Sequence, residues 1–205
     1  MTGLWIAVGV LAALLLALSA GLFLALAMGR AHLDLGLGRS THQLGPITAT
    51  IRAPRELVFE MIAAPYLGRA SVEGIEVLAH SEHLAVARHH TRVHFYTAQT
   101  TEVVDLTPPT RVGFRQLSGP VPHALEQFVL EEADGGTELR YSGELGIDFY
   151  ILGRIAGRHW VRPQWERVVS AHLEDVKERA EARADRRAAR EASGPGAELG
   201  GTGPP

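Results

Sequence analysis

The chain has 205 residues, which suits one domain with appended segments, and its formal net charge at pH 7 is −3. That charge excludes the strongly basic surface of many nucleic-acid-binding proteins, and we expect no nucleic-acid partner. The absence of cysteine excludes a disulfide scaffold, thiolate metal ligands and a cysteine nucleophile. The charge is distributed unevenly, because residues 1–29 contain none of the 20 basic and 23 acidic side chains.

Residues 3–28, GLWIAVGVLAALLLALSAGLFLALAM, predict a transmembrane helix that occupies positions 1–29. As a helix they would be about 39 Å long, more than the roughly 30 Å hydrocarbon core of a bilayer. Trp5 near one end suits the membrane interface. The alternative is a cleavable signal peptide, since Ala25-Leu26-Ala27 resembles a cleavage site. The missing basic n-region and the long apolar run favour a single-pass membrane anchor.

Arginines follow the apolar run but do not precede it. Arg30 and Arg39 lie nearest to its end, so the positive-inside rule predicts that the soluble domain is cytoplasmic. Residues 30–43, RAHLDLGLGRSTHQ, predict a short polar linker between the anchor and this domain.

From residue 44 the pattern predicts an α+β domain that ends near residue 180. Residues 47–51 alternate as a half-buried strand, and Pro54 begins a short helix over 54–63. Proline, glycine and aspartate turn signals then separate further strands. The predicted strands are 72–80, 84–90, 92–106, 110–117, 122–132 and 137–147. Sequential strands with short turns favour an antiparallel meander.

An apolar stripe at helical spacing predicts a long C-terminal helix. Pro163 is either its start or a kink in a helix that begins near Phe149. The stripe comprises Val161, Trp165, Val168, Val169, His172 and Val176. Residues 181–192 predict a solvated helical extension, a candidate docking surface for a protein partner. Residues 193–205 predict a disordered tail.

Three segments in this order resemble the SRPBCC, or START-like, superfamily, and most closely its polyketide cyclase/dehydrase and lipid-transport branch. They are ITATIRAPRELVFEMIAAP, DLTPPTRVGFRQLSGP and the close GTELRYSGELGIDFYILGRIAGRHWVRPQWERVVSAHLEDVKERAE. The resemblance covers about residues 44–180. It implies the helix-grip fold, a curved antiparallel sheet of about six to seven strands wrapped on the long C-terminal helix. It also implies a cavity between sheet and helix that holds a hydrophobic molecule. The superfamily has no shared catalytic motif.

Strand parity and helix periodicity select the side chains that would face this cavity. Most are apolar or aromatic, and the polar members are candidates for orienting a ligand. The full predicted set is Phe95, Thr97, Gln99, Phe114, Gln116, Glu126, Phe128, Tyr141, Trp165, Val169 and His172.

Glu126 and His172 are the candidates for acid–base chemistry. A carboxylate that faces an apolar cavity has its pKa raised by desolvation, which suits it to proton transfer. The alternative for Glu126 is a strand glutamate that faces water or pairs with an arginine such as Arg115. The alternative for His172 is a structural residue in the packed helix face.

Ten histidines raise the question of a metal site. In the densest cluster, His90 and His94 share a predicted strand face but would lie about 13 Å apart, too far for one ion. His89 and His90 would point to opposite faces. We interpret these residues as solvent-facing histidines and expect no metal or other cofactor.

Three functions remain open at this point. The first is a membrane-anchored module that binds a hydrophobic small molecule, such as a lipid, an isoprenoid or a polyketide. The second is a cyclase- or dehydratase-like enzyme that uses Glu126 with Gln116, Tyr141 or His172. The third is a non-enzymatic interaction or stress-response protein. We favour the first because the sequence holds no complete acid–base constellation.

Overall fold

A computed structural model describes residues 2–93 and 96–193. Helix α1 (Thr2–Ala27) is uniformly apolar, and its Gly3–Ala27 stretch is long and apolar enough to cross a membrane, by length and composition. A signal sequence has the same two properties. The described side chains of α1 are exposed as far as Phe23, whereas Ala27 is buried against the following domain.

The predicted α+β helix-grip fold is confirmed. Seven strands form one antiparallel sheet in the order β1-β7-β6-β5-β4-β3-β2. From β2 to β7, each strand pairs with the next strand in sequence, and β1 is an edge strand paired with β7. The strands are β1 (Ser40–Ile51), β2 (Ile75–His80), β3 (Leu84–Val93), β4 (Tyr96–Thr107), β5 (Arg111–Ser118), β6 (His123–Ala133) and β7 (Gly136–Ile147).

The C-terminal helical segment is one continuous rod with a change of winding near its start. It comprises α3 (Tyr150–Ala156), a π-helical segment (Gly157–Val161) and α4 (Arg162–Ser193), which follow one another without a break. Pro163 has no N–H for the usual bond to residue 159. The turn just before Pro163 is wider than an α-helical turn, because the N–H of Arg162 bonds to the carbonyl of Gly157, five residues earlier. Pro163 therefore lies just after a π-helical turn inside the helix.

The core lies between the concave face of the sheet and the helices. Helix α2 (Arg55–Ala63) follows Pro54, which serves as its N-cap, one residue later than predicted. It contributes Val58, Phe59 and Ile62, and α4 contributes a stripe of Val169, Leu173, Val176 and Ala180. These pack with strand residues such as Leu139 and Leu145, which are fully buried. Beyond Ala180, α4 continues as the predicted solvated extension. Of the predicted tail at 193–205, Ser193 is the last residue of α4, and residues 194–205 lie outside the described residues.

Two predicted boundaries, the end of the linker and the start of β4, are wrong by four residues each. Strand β1 begins at Ser40, where it pairs with Ile147 of β7, so the predicted linker at 30–43 loses its last four residues to the sheet. The strand predicted for 92–106 begins only at Tyr96, because the chain reverses between Val93 and Tyr96, which are paired with each other, and residues 92 and 93 belong to β3. This reversal changes which residues of β4 face the core, and it bears directly on the predicted site.

The remaining linker is tied to the domain through Asp148, whose side chain is 1% exposed. Its Oδ2 accepts hydrogen bonds from the backbone N–H groups of Leu35 and Gly36, both at 2.9 Å. Its Oδ1 accepts a 2.8 Å bond from Arg39 Nε. The Arg39 hydrogen bond, followed by the backbone bonds, holds the pKa of Asp148 below its usual value. The segment between α1 and the sheet is therefore held in place.

Candidate functional site

A row of aromatic rings covers the middle of the concave face. Phe114 on β5, Phe128 on β6 and Tyr141 on β7 are buried and come from neighbouring strands. The ring centroids of Phe114 and Phe128 are 5.7 Å apart, and those of Phe128 and Tyr141 are 5.5 Å apart. Tyr66, which follows α2, extends the row with its ring 5.7 Å from that of Phe114. Edge and tilted contacts of this kind are the favoured aromatic geometries.

Glu126 lies on the same face as Phe128 and joins the sheet to α4. Its Oε2 accepts a 2.5 Å hydrogen bond from the Tyr141 hydroxyl and a 2.8 Å bond from Trp165 Nε1. Its Oε1 makes no hydrogen bond to the described part of the chain and is not among the buried unpartnered atoms there. One carboxylate oxygen is thus held by the protein, and the other is available to a bound molecule.

The pKa of Glu126 is raised to about 7. Desolvation is the largest cause, and the charge of Glu102 adds to it, while the bonds from Tyr141 and Trp165 oppose it. A carboxyl group with this pKa exchanges a proton near neutral pH, which is the range that general acid–base chemistry requires. The alternative pairing with Arg115 does not form, since Arg115 is exposed on the outer face of β5.

A second line of hydrogen-bonded polar side chains crosses the same face. His89 Nδ1 lies 3.1 Å from Glu102 Oε2, and His89 Nε2 lies 3.1 Å from the Tyr66 hydroxyl. With its proton on Nδ1, the imidazole donates to Glu102 and accepts from Tyr66. Desolvation raises the pKa of Tyr66, and the charges of Glu102 and Glu126 add to that effect. These groups form a connected polar line beside the aromatic row.

Sequence reasoning missed this second line of polar residues. The interpretation of His89 as solvent-facing is wrong. His89 is half-buried and alternates with the buried Ala85 and Ala87 along β3. Glu102 is 7% exposed and alternates with the buried Val104 along β4. Both alternations are visible in the sequence, and they were the signal for two inward-facing polar residues.

Helix α4 supplies three of the predicted residues to this face. Trp165 is half-buried and bonded to Glu126, and Val169 is buried. His172 is exposed to water, yet its ring centroid is 6.0 Å from that of Phe128. Desolvation is the largest influence on its pKa, which lies below the usual histidine value. His172 therefore lies at the rim of the concave face and not within its packed centre.

Gln116 faces inward on β5 in line with Phe114. Its Nε2 donates a 2.6 Å hydrogen bond to the carbonyl of Val121, which fixes the amide. Its Oε1 is buried and has no hydrogen-bond partner within the described ranges. A buried acceptor without a partner is costly, so a donor from a bound molecule or water would stabilise it.

The remaining predicted residues do not meet this group. Thr97 is exposed, and Gln99 lies on the same outer face of β4, opposite the buried Ala98 and Glu102. Both assignments are wrong because parity was counted through the reversal that separates β3 from β4. Phe95 lies outside the described residues.

No metal site is formed by three or more histidine, aspartate or glutamate residues within positions 2–93 and 96–193. The expectation that the protein uses no cofactor stays a prediction.

One comparison with known proteins gives the family of this chain, and another gives solved structures that share its fold. The family described as polyketide cyclase/dehydrase and lipid transport matches residues 47–181. The di-domain ARO/CYC protein BexL is similar over 70% of this chain, with 22% identity and a TM-score of 0.58. The Zhui aromatase/cyclase from a Streptomyces species is similar over 73% of this chain and 96% of its own, with 22% identity and a TM-score of 0.50.

A protein from Thermus thermophilus is similar over 71% of this chain and 97% of its own, with 20% identity and a TM-score of 0.51. The chain spans about half the length of BexL, of which it covers 50%. At these identities the structures share the fold. Among curated proteins, no relative of this chain was found.

Proposed function

From the premise that this chain belongs to the polyketide cyclase/dehydrase and lipid transport family, we propose its function. The domain binds a hydrophobic small molecule between the sheet and the C-terminal helix, at a membrane. The concave face offers what such a ligand needs, an aromatic surface with a few convergent polar groups. Phe114 and Phe128 supply apolar area, and Glu126 and Gln116 supply hydrogen-bonding atoms that the described protein leaves unused.

The observation that carries this proposal is the half-satisfied carboxyl group of Glu126. Its Oε1 makes no hydrogen bond to the described part of the chain and is not a buried atom, so a molecule that enters the concave face can reach it. Here Tyr141 and Trp165 fix one oxygen and so aim the other. A lipid, isoprenoid or polyketide with a hydroxyl or carbonyl group at one end would satisfy it.

The apolar α1 supports membrane placement of the domain, as a single-pass anchor with the domain in the cytoplasm. Tethering keeps the concave face near the bilayer, where poorly soluble molecules are concentrated, and so raises their effective concentration.

A second candidate function is catalysis of the cyclase or dehydratase kind. The pKa of Glu126, raised to about 7, favours it, since that carboxyl group can both donate and accept a proton at neutral pH. His172 at the rim would be a second proton-transfer group. The two candidates share one binding site, so ligand binding is the property to test first.

The test uses Trp165 as the reporter in the full chain, reconstituted in phosphatidylcholine nanodiscs. Replacing the other two tryptophans (Trp5→Phe and Trp160→Phe) leaves Trp165 as the sole tryptophan. Dibrominated stearic acid, which quenches tryptophan on contact, is then titrated. We expect saturable quenching of Trp165 fluorescence.

Two matched variants in the same background locate the bound probe. Ala98→Phe fills space on the concave face, and Thr97→Phe places the same ring on the outer face of the same strand. We expect quenching to be lost in the first variant and kept in the second. Equal or unsaturable quenching in both would place the probe elsewhere and overturn the proposed site.

A further inference from the structure

A group of large apolar side chains stands exposed at the start of the C-terminal helical rod. We name it the α3 patch, and it comprises Phe149, Tyr150, Ile151, Leu152, Ile155 and Trp160, which are 47%, 69%, 63%, 74%, 45% and 70% exposed. Single exposed apolar residues are ordinary, but six within twelve consecutive positions give this segment a largely apolar exterior. Such surfaces mark contact with a partner or a membrane.

The segment that joins α1 to the sheet lies directly beside this patch. The N–H of Phe149 donates to the carbonyl of Leu37 at 2.7 Å, and the N–H of Tyr150 donates to the carbonyl of Gly38 at 3.0 Å. Leu35 and Leu37 are themselves about half exposed, at 48% and 50%, and enlarge the apolar surface. The buried Asp148 holds this arrangement in place through its bonds to Leu35 and Gly36.

The end of α1 lies at this same end of the sheet, where β4 begins and β5 and β7 end. Gly29 packs on the backbone of Gln99, so closely that a Cβ would meet that carbonyl oxygen at 2.1 Å. His32 hydrogen-bonds the backbone of Gly119 at 3.3 Å. Leu35 is eight positions after Ala27, so the two are at most about 29 Å apart even when the chain is fully extended. A bilayer that holds α1 is therefore within reach of the α3 patch.

The positive charge around the α3 patch indicates which kind of surface the patch contacts. Arg154, Arg158 and Arg162 lie along it, and no acidic residue occurs between Asp148 and Glu166. Arg154 and Arg158 form no ion pair with residues of the described ranges. Aromatic residues with flanking arginines suit the headgroup region of a membrane that contains anionic lipid. A symmetric contact with a second copy would instead bring like charges together.

We propose that the α3 patch docks on the bilayer that holds α1, with Trp160 and its apolar neighbours in the interface and Arg154 and Arg158 against anionic headgroups. This inference rests on the membrane placement in the proposed function and adds a second, peripheral contact to the anchor. It orients the domain, so that the N-terminal end of the helical rod faces the lipid.

The test places single tryptophans in the full chain and reconstitutes it in vesicles of phosphatidylcholine and phosphatidylglycerol, brominated near the headgroup or unbrominated. One variant keeps only Trp160 (Trp5→Phe, Trp165→Phe), and another keeps only Trp5 (Trp160→Phe, Trp165→Phe). We expect bromination to lower Trp160 emission about twofold, as for a side chain in the interfacial layer. Arg154→Gln with Arg158→Gln should weaken this quenching, and only when phosphatidylglycerol is present.

The outcomes separate this inference from the proposed function. Quenching of Trp5 without quenching of Trp160 overturns the patch contact and leaves the anchor in place. Quenching of neither overturns both. A third outcome is that Trp160 is not quenched by bromine, is protected from aqueous iodide, and crosslinks form between chains. That outcome assigns the patch to a second copy and overturns the inference. As a matched control, Leu152→Asp should abolish Trp160 quenching, whereas Leu125→Asp, an exposed leucine on the outer face of β6, should not.

Discussion

Replacing Glu126 with glutamine should change how the stability of the domain depends on pH. The pKa of this carboxyl is raised from 4.5 to about 7 in the folded chain, so the folded state holds a proton that the unfolded state releases between those values. Its contribution to stability is therefore complete below the unfolded pKa and is lost as the pH rises through about 7. Glutamine keeps the shape and cannot ionise.

The size of the effect follows from the shift. At 1.36 kcal/mol for each pKa unit, the wild-type free energy of unfolding should fall by at most about 3 kcal/mol between pH 4.5 and pH 8 through this group. Glu126→Gln should therefore be about as stable as the wild type at pH 4 and more stable by up to about 3 kcal/mol at pH 8. His172 acts with the opposite sign, since its pKa is lowered, but it is present in both proteins and cancels in the difference.

The assay is urea unfolding of the full chain in detergent micelles, followed by near-ultraviolet circular dichroism at several pH values. Glu131→Gln is the matched control, because Glu131 is exposed on the outer face of the same strand. We expect it to follow the wild type at every pH. Equal pH slopes for wild type and Glu126→Gln would refute the conclusion that burial holds a proton on this carboxyl.

Three further predictions follow from the same contacts. Trp165→Phe removes a hydrogen bond that lowers the pKa of Glu126, so carbon-detected NMR of the Glu126 carboxyl should give a higher pKa; an unchanged or lower value would contradict the geometry. His89→Phe leaves the buried Glu102 without its imidazole, and should cost about 1–3 kcal/mol in urea unfolding at pH 8, whereas an unchanged midpoint would rule out this pairing. Asp148→Ala leaves two backbone N–H groups without their acceptor. It should lower the free energy of unfolding by about 1–3 kcal/mol and speed proteolysis within 32–39. Wild-type cleavage rates would show that the segment is not held there.

The fold could be predicted from the sequence because each strand carries its own alternation and each turn its own signal. The same alternation correctly set Phe114, Phe128 and Tyr141 on one face, since no strand reversal intervened within β5, β6 or β7. The position of Glu126 among them followed from parity alone. Its contacts with Tyr141 and Trp165 did not, because they depend on how α4 crosses the sheet.

The errors at β4 have one physical origin. Side-chain direction alternates along a strand, so a misplaced reversal that changes the parity inverts every assignment on the strand that follows it. That is what happened to Thr97 and Gln99, and it also concealed Glu102. The link from Glu102 through His89 to Tyr66 joins three elements, and no local pattern reports a contact of that kind.

The π-helical segment sets the relative orientation of the two helices that it joins. Each residue of an α-helix advances the direction of its side chain by about 100°, and a π turn holds one residue more than an α turn. Helix α3 is therefore rotated against α4 relative to an uninterrupted α-helix, which lets α3 present its large side chains to the outside while α4 presents Trp165 and Val169 to the sheet. Deleting one residue from 157–161 would turn α3 by about 100° against α4, with almost no change in composition.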